Sequence, residues 1–117
     1  MSKFNVKALK QKALQSDDIV YDSVYIEKWD AEFPVKTLVG ADLKAVMKHR
    51  NDPIRMAILA VVYGCVTQDG ERVFDDEREA VAVFETQKGM SEITQLSTKI
   101  LEISGLAGDS VAEAKNG

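Results

Sequence analysis

The chain has 117 residues and a mass of 12.9 kDa, the size of one domain built on one core. It is 45% hydrophobic and 29% charged, the composition of an ordinary globule, and a net charge of −4 argues against an overall nucleic-acid or anionic-membrane binder. A single Cys and a single His exclude an intramolecular disulfide framework, a cysteine-based zinc cluster and most histidine-rich metal sites.

Charge is distributed unevenly. Residues 1–16 hold Lys3, Lys7, Lys10 and Lys12 and no acid, so this arm carries +4 and the other 101 residues sum to −8. Phe4, Val6, Leu9, Ala13 and Leu14 form a loose apolar stripe at helical spacing within it. The expectation for 1–16 is a flexible basic arm, either a frayed terminus or an amphipathic segment that orders on a partner.

Val20 to Trp29 reads as a strand, with Val20, Val24 and Ile26 on one face and Tyr21, Tyr25 and Trp29 on the other. Asp30, Ala31 and Glu32 make a polar break, and Phe33 to Leu38 supplies a second extended run. The two form a hairpin over 20–38, with Pro34 placing the second strand at an edge or at its own beginning. A hairpin of this size needs a surface to pack on.

Four helices follow, at about 42–50, 54–66, 76–88 and 92–104. Thr37 or Gly40 is a candidate cap for the first, in which Leu43, Val46 and Met47 share a face. Asn51-Asp52-Pro53 is a stop and restart, with Asp52 as N-cap and Pro53 at the first helical position. The next helix is apolar on nearly every face, so it belongs at the centre of the domain. Its apolar run, Met56 to Val66, spans eleven residues, about half of what a membrane crossing needs. Thr67-Gln68-Asp69-Gly70 is a turn, and Asp75 is the expected cap of an acidic helix start whose face Ala80, Val81 and Phe84 packs inward. Gly89 ends that helix, Ser91 caps the last one, and the stripe Ile93, Leu96, Ile100, Ile103 runs to Gly105. Residues 107–117 are small and polar and read as a disordered tail. The fold class is therefore α+β, mainly α: residues 17–106 make one domain in which an N-terminal hairpin packs on about four helices.

No catalytic, cofactor or metal constellation emerges. His49 lies between Lys48 and Arg50 on a helix surface, and Cys65 sits in the apolar helix as a small hydrophobe. Asp75, Asp76, Glu77 and Glu79 are explained by capping and the helix dipole, and they lack the spacing of a calcium loop. Gly64, Gly70 and Gly89 are isolated and form no phosphate loop. Nucleic-acid binding rests on the lysine arm alone, against a body of −8. The helix after Pro53 is too apolar to lie in a DNA groove. The chain reads as a protein that acts by binding.

Several weak motifs in a fixed order carry a resemblance. The run from Val24 through Trp29, Phe33 and Pro34 leads into Val35-Lys36-Thr37-Leu38-Val39-Gly40-Ala41-Asp42-Leu43. An apolar helix then enters Cys65-Val66-Thr67-Gln68-Asp69-Gly70-Glu71-Arg72-Val73-Phe74, and the last helix closes on Leu101-Glu102-Ile103-Ser104-Gly105-Leu106. Over about residues 20–117 this resembles the siphophage and prophage tail assembly chaperones. One departure is Trp29-Asp30-Ala31, where many members have Trp-Gly-Gly; it bears on the turn of the hairpin.

The resemblance implies a chaperone that binds the tape measure protein, a very long apolar helical polypeptide, and keeps it soluble in the host bacterial cytoplasm while the tail tube assembles, without being retained in the virion. It also implies that this chain is the short product of a programmed frameshift, with a longer product that recruits the major tail protein. A long client favours self-association, without fixing a symmetry. The expected partner-binding residues are Phe4, Val6 and Leu9 on the arm and Tyr21, Tyr25 and Trp29 on the hairpin. No cofactor, nucleic acid or membrane is expected. The alternative reading is a small DNA-associated phage or bacterial regulator that uses the lysine arm.

Overall fold

The apolar run after Pro53 becomes the central helix. The structure, a computed structural model, describes residues 3–106. In chain order their elements are α1 (Val6–Gln15), β1 (Tyr21–Ile26), a 3-10 turn (Glu27–Trp29), β2 (Ala31–Lys36), α2 (Gly40–Met47), α3 (Pro53–Gly64), α4 (Glu77–Thr86) and α5 (Met90–Ile103). The expected tail over 107–117 lies outside the described residues. The fold is α+β and mainly α, a hairpin packed on helices. Among the described residues no helix is long and apolar enough to cross a membrane.

Asp52 caps α3, its Oδ1 accepting from the Arg55 N–H at 3.1 Å, and Pro53 occupies the first turn, where a missing N–H costs nothing. Ile58, Leu59, Ala60, Val61 and Val62 are all buried. Five consecutive buried residues occupy every side of a helix, so α3 must be enclosed. α2, α4 and α5 pack around it. The closest approach is at Gly64, where a Cβ would stand 2.6 Å from Cδ1 and Cγ2 of Ile100. Ile93, Leu96 and Ile100 of α5 are fully buried. That helix ends in a Schellman motif: the Leu106 N–H donates to Leu101 O, the Gly105 N–H donates to Glu102 O, and Gly105 takes φ +80.

β1 and β2 pair antiparallel, from Tyr21 opposite Lys36 to Ile26 opposite Ala31. Val24, Ile26, Phe33 and Val35 share the inner face, against the helices. The Thr37 N–H donates to Val20 O, and the alternation of bonded pairs from there leaves the nitrogen of Pro34 facing the open edge. Thr37 and Ser104 join the open end of the hairpin to the end of α5. Thr37 Oγ1 donates to Ile103 O at 3.2 Å, and Ser104 Oγ accepts from the Leu38 N–H at 2.9 Å. Lys99 of α5 also reaches Asp22 at 3.2 Å. At the turn end Lys28 lies 3.3 Å from the buried carboxylate of Glu92.

Several boundaries differ from the sequence reading. The first strand stops at Ile26, because the 3-10 turn takes Glu27 to Trp29 and Asp30 adopts φ 48. The second strand begins at Ala31, not Phe33. Neither Thr37 nor Gly40 caps α2; Val39 does, with no side-chain bond. α2 ends at Met47, and 48–51 run on as turns, in which the N–H groups of His49, Arg50 and Asp52 donate to the carbonyls three residues back, of Val46, Met47 and His49. Cys65 and Val66 leave α3, and Val66 instead bridges to Arg72 across the turn at Gly70, which has φ +88. Asp76, not Asp75, caps α4, accepting from the Glu79 N–H. Gly89 is the N-cap of α5, which places Ser91 inside the helix.

Part of the basic arm is helical. Asn5 Oδ1 accepts from the Ala8 N–H at 3.1 Å and opens α1 over Val6–Gln15, none of whose residues is buried.

Candidate functional site

The binding residues expected from the sequence divide into separate places. Phe4, Val6 and Leu9 are exposed at and just before α1. Tyr21 and Tyr25 are exposed on the outer face of β1, with Ser23 between them on the same face. The Tyr25 hydroxyl donates to Asp30 Oδ1 at 2.6 Å, and this bond, with some desolvation, raises its pKa. Trp29 does not join them. The 3-10 turn carries its ring off the outer face and in against the core, which corrects the expectation of a Tyr21, Tyr25, Trp29 face.

Trp29 instead belongs to a closed ring of four aromatic side chains. It meets Phe33 edge-on at 5.4 Å between centroids and stacks on Phe84 at 6.4 Å. Phe33 stacks on Phe74 at 6.3 Å, and Phe74 meets Phe84 edge-on at 5.1 Å. Such offset and edge-on contacts each contribute about 0.5–1.5 kcal/mol beyond burial of area. Four separate elements supply the four rings: the hairpin turn, β2, the loop before α4, and α4 itself. The loop is held by the Val73 N–H donating to Cys65 O, which sets Phe74 over the core.

Above these rings runs an open groove of about 340 Å³, with Val73 and Val83 in its walls. Asp75, Asp76 and Glu79 are its acidic lining residues and Lys88 its basic one, with Nζ 5.9 Å from the Trp29 ring centroid. An apolar floor beside acidic side chains suits a segment that is apolar on one side and basic beside it. In the sequence Phe84 belongs to an inward helix face, and no spacing links it to Trp29, Phe33 or Phe74. The signal for the cluster was scarcity: it uses the only Trp and three of the four Phe.

Cys65, His49, Tyr63 and Glu92 lie outside the groove lining. Cys65 is buried, and desolvation pushes its thiol from 9.0 up to about 12. His49 is exposed. The Tyr63 hydroxyl donates to Glu77, and Arg72 lies over the Tyr63 ring at 5.1 Å. That hydrogen bond, then desolvation, raises the Tyr63 pKa. Glu92, 3% exposed, sits in the first turn of α5, where the helix dipole favours an anion; its Oε2 makes no hydrogen bond. Among the described residues no three His, Cys, Asp or Glu side chains gather as a metal site would require.

The molecule is therefore a small α+β protein with an aromatic groove that has acidic residues in its lining and a separate exposed basic helix. Comparison with protein-family models, with curated proteins and with solved structures gives no match.

Proposed function

We propose that this chain is a tail assembly chaperone of the siphophage and prophage type, acting by binding and not by catalysis. Its client is the tape measure protein, held in the host bacterial cytoplasm until tail-tube subunits replace the chaperone. The observation that supports this most directly is the aromatic groove, an open apolar channel that accepts the side chains of one face of a helix. One aliphatic side chain seated there contributes roughly 1.5–3 kcal/mol. A single contact of that size is weak enough to be displaced. Many copies along one client hold it through multivalency, and the negative body keeps the coated complex dispersed. The exposed Tyr21 and Tyr25 face provides a second contact surface. On this reading the chain is the short product of a frameshifting gene, and a longer product recruits the major tail protein.

Co-expression with a tape measure fragment tests the proposal. The fragment should stay in the soluble fraction with the parent chain and precipitate with Val73→Asn, which removes apolar surface from the groove wall without adding a charge, at a residue 39% exposed. Precipitation with both chains refutes the client. The exposed lysines of α1 favour the second reading, a DNA-associated regulator. A regulator should shift duplex DNA with an affinity that falls steeply as salt rises, whereas a chaperone should not shift it.

A further inference from the structure

We propose that the aromatic groove of one copy receives the basic helix α1 of a second copy. The chain then associates head to tail through a plug and a socket at opposite ends of its hairpin. This inference rests on reading the groove as a binding surface, and not on the identity of the client.

α1 lacks the packing that sustains a short helix. It has ten residues, none of them buried, and isolated helices shorter than about 12–15 residues are marginal in water. Val6, Leu9 and Leu14 are 75%, 52% and 76% exposed. Val6, Leu9 and Ala13 fall on one side, at spacings of three and four. A helix with this pattern is completed by an apolar surface from elsewhere.

The groove matches it in chemistry and in charge. α1 contains Lys7, Lys10 and Lys12 and no acid. The groove lining offers Asp75, Asp76 and Glu79 against the single Lys88. Its 340 Å³ lies at the small end of the range for binding pockets, suited to a few aliphatic side chains rather than a whole helix.

Topology directs the contact to another molecule. The chain leaves α1 and enters the hairpin at Val20, which is held by Thr37: the Val20 N–H donates to Thr37 Oγ1 at 2.9 Å, and the Thr37 N–H donates to Val20 O at 3.0 Å. Trp29 and the groove lie at the other end, beyond the six residues of β1, a distance of about 20 Å. The plug is therefore tethered at the end of the hairpin opposite to the socket. Contacts of this kind are heterologous and propagate into a ring or an open filament. In this state each copy covers its neighbour's aromatic floor, and an apolar client competes with α1 for the same surface.

Two full-length variants test the arrangement. Lys7→Glu/Lys10→Glu spoils the plug, and Val73→Asn removes apolar surface from the socket without adding to its acidic charge; all three positions are exposed. The parent chain should show concentration-dependent association in sedimentation velocity, weakening as salt rises. Each variant alone should remain monomeric, with a dissociation constant raised roughly tenfold or more. Mixed one to one, they should form a dimer and nothing larger, since one intact plug meets one intact socket. Trp29, the only Trp, should change its emission on mixing.

A parent chain that stays monomeric at all concentrations, or a plug variant that associates like the parent, overturns the proposal. So does a monomer whose Trp29 emission changes with the α1 substitutions, because that places α1 in its own groove. If association occurs as described while a tape measure fragment still precipitates, the proposed client fails and this inference stands. If the fragment is captured by a parent chain that never associates, the reverse holds.

Discussion

Replacing Gly64 by Ala should destabilise the protein although alanine is the better helix former. The added Cβ would stand 2.6 Å from Cδ1 and Cγ2 of Ile100 and 2.9 Å from Cγ1. Ile100 is β-branched and fully buried, so it cannot swing aside into solvent. Forcing one methyl into a packed core costs about 1–3 kcal/mol. The propensity gain of about 1 kcal/mol for Gly→Ala applies in a helix interior, and Gly64 is the last residue of α3, so only part of it is recovered. The net loss is about 1–2 kcal/mol, which lowers the urea midpoint by about 1 M.

Urea unfolding followed by Trp29 fluorescence measures this, because the ring reports on the packed core. The Ile100→Ala background then isolates the cause. That change alone costs about 2–5 kcal/mol through the cavity it leaves. Since it removes all three clashing atoms, adding Gly64→Ala should cost nothing or restore part of the loss, a coupling of about 1–2 kcal/mol. A Gly64→Ala protein as stable as the parent would refute the reasoning, as would a cost undiminished in the Ile100→Ala background.

The capping of α4 separates two adjacent acids: Asp76→Ala should cost about 1 kcal/mol in urea unfolding and Asp75→Ala close to nothing, because Asp76 accepts from the Glu79 N–H. Equal losses would return the cap to Asp75. Cys65 should resist thiol reagents at pH 8 in the folded chain and react promptly in denaturant, since burial holds its pKa near 12. The sign of its linkage to stability follows from the same shift. The unfolded thiol loses its proton near 9.0 while the folded one keeps it to about 12, so this contribution is intact below pH 9 and declines from 9 to 12. Cys65→Ala should flatten that part of the pH dependence; an unchanged profile would assign the loss to other groups.

Local chemistry was legible wherever it acts over a few residues. Asp52-Pro53 starts α3 because a cap and a proline need only their own turn. Gly105 ends α5 because few other residues take φ +80. The errors came where two neighbours compete for one role, as at Asp75 and Asp76, or Gly89 and Ser91. There the choice depends on which residue the preceding loop delivers in extended conformation.

Length, composition and charge implied one domain, and hydrophobic period implied a hairpin on helices with α3 at the centre. The net charge also separated, from sequence alone, into a +4 arm and a −8 body. The groove was not legible. Its rings come from positions 29, 33, 74 and 84, which no periodicity links. Trp29 left the tyrosine face because Glu27 to Trp29 form a 3-10 turn in place of three more strand residues, and a change in local rise redirects every side chain after it. Hydrophobic pattern determines which residues leave water. Only the packing of distant elements decides which of them meet, and which stay open to a partner.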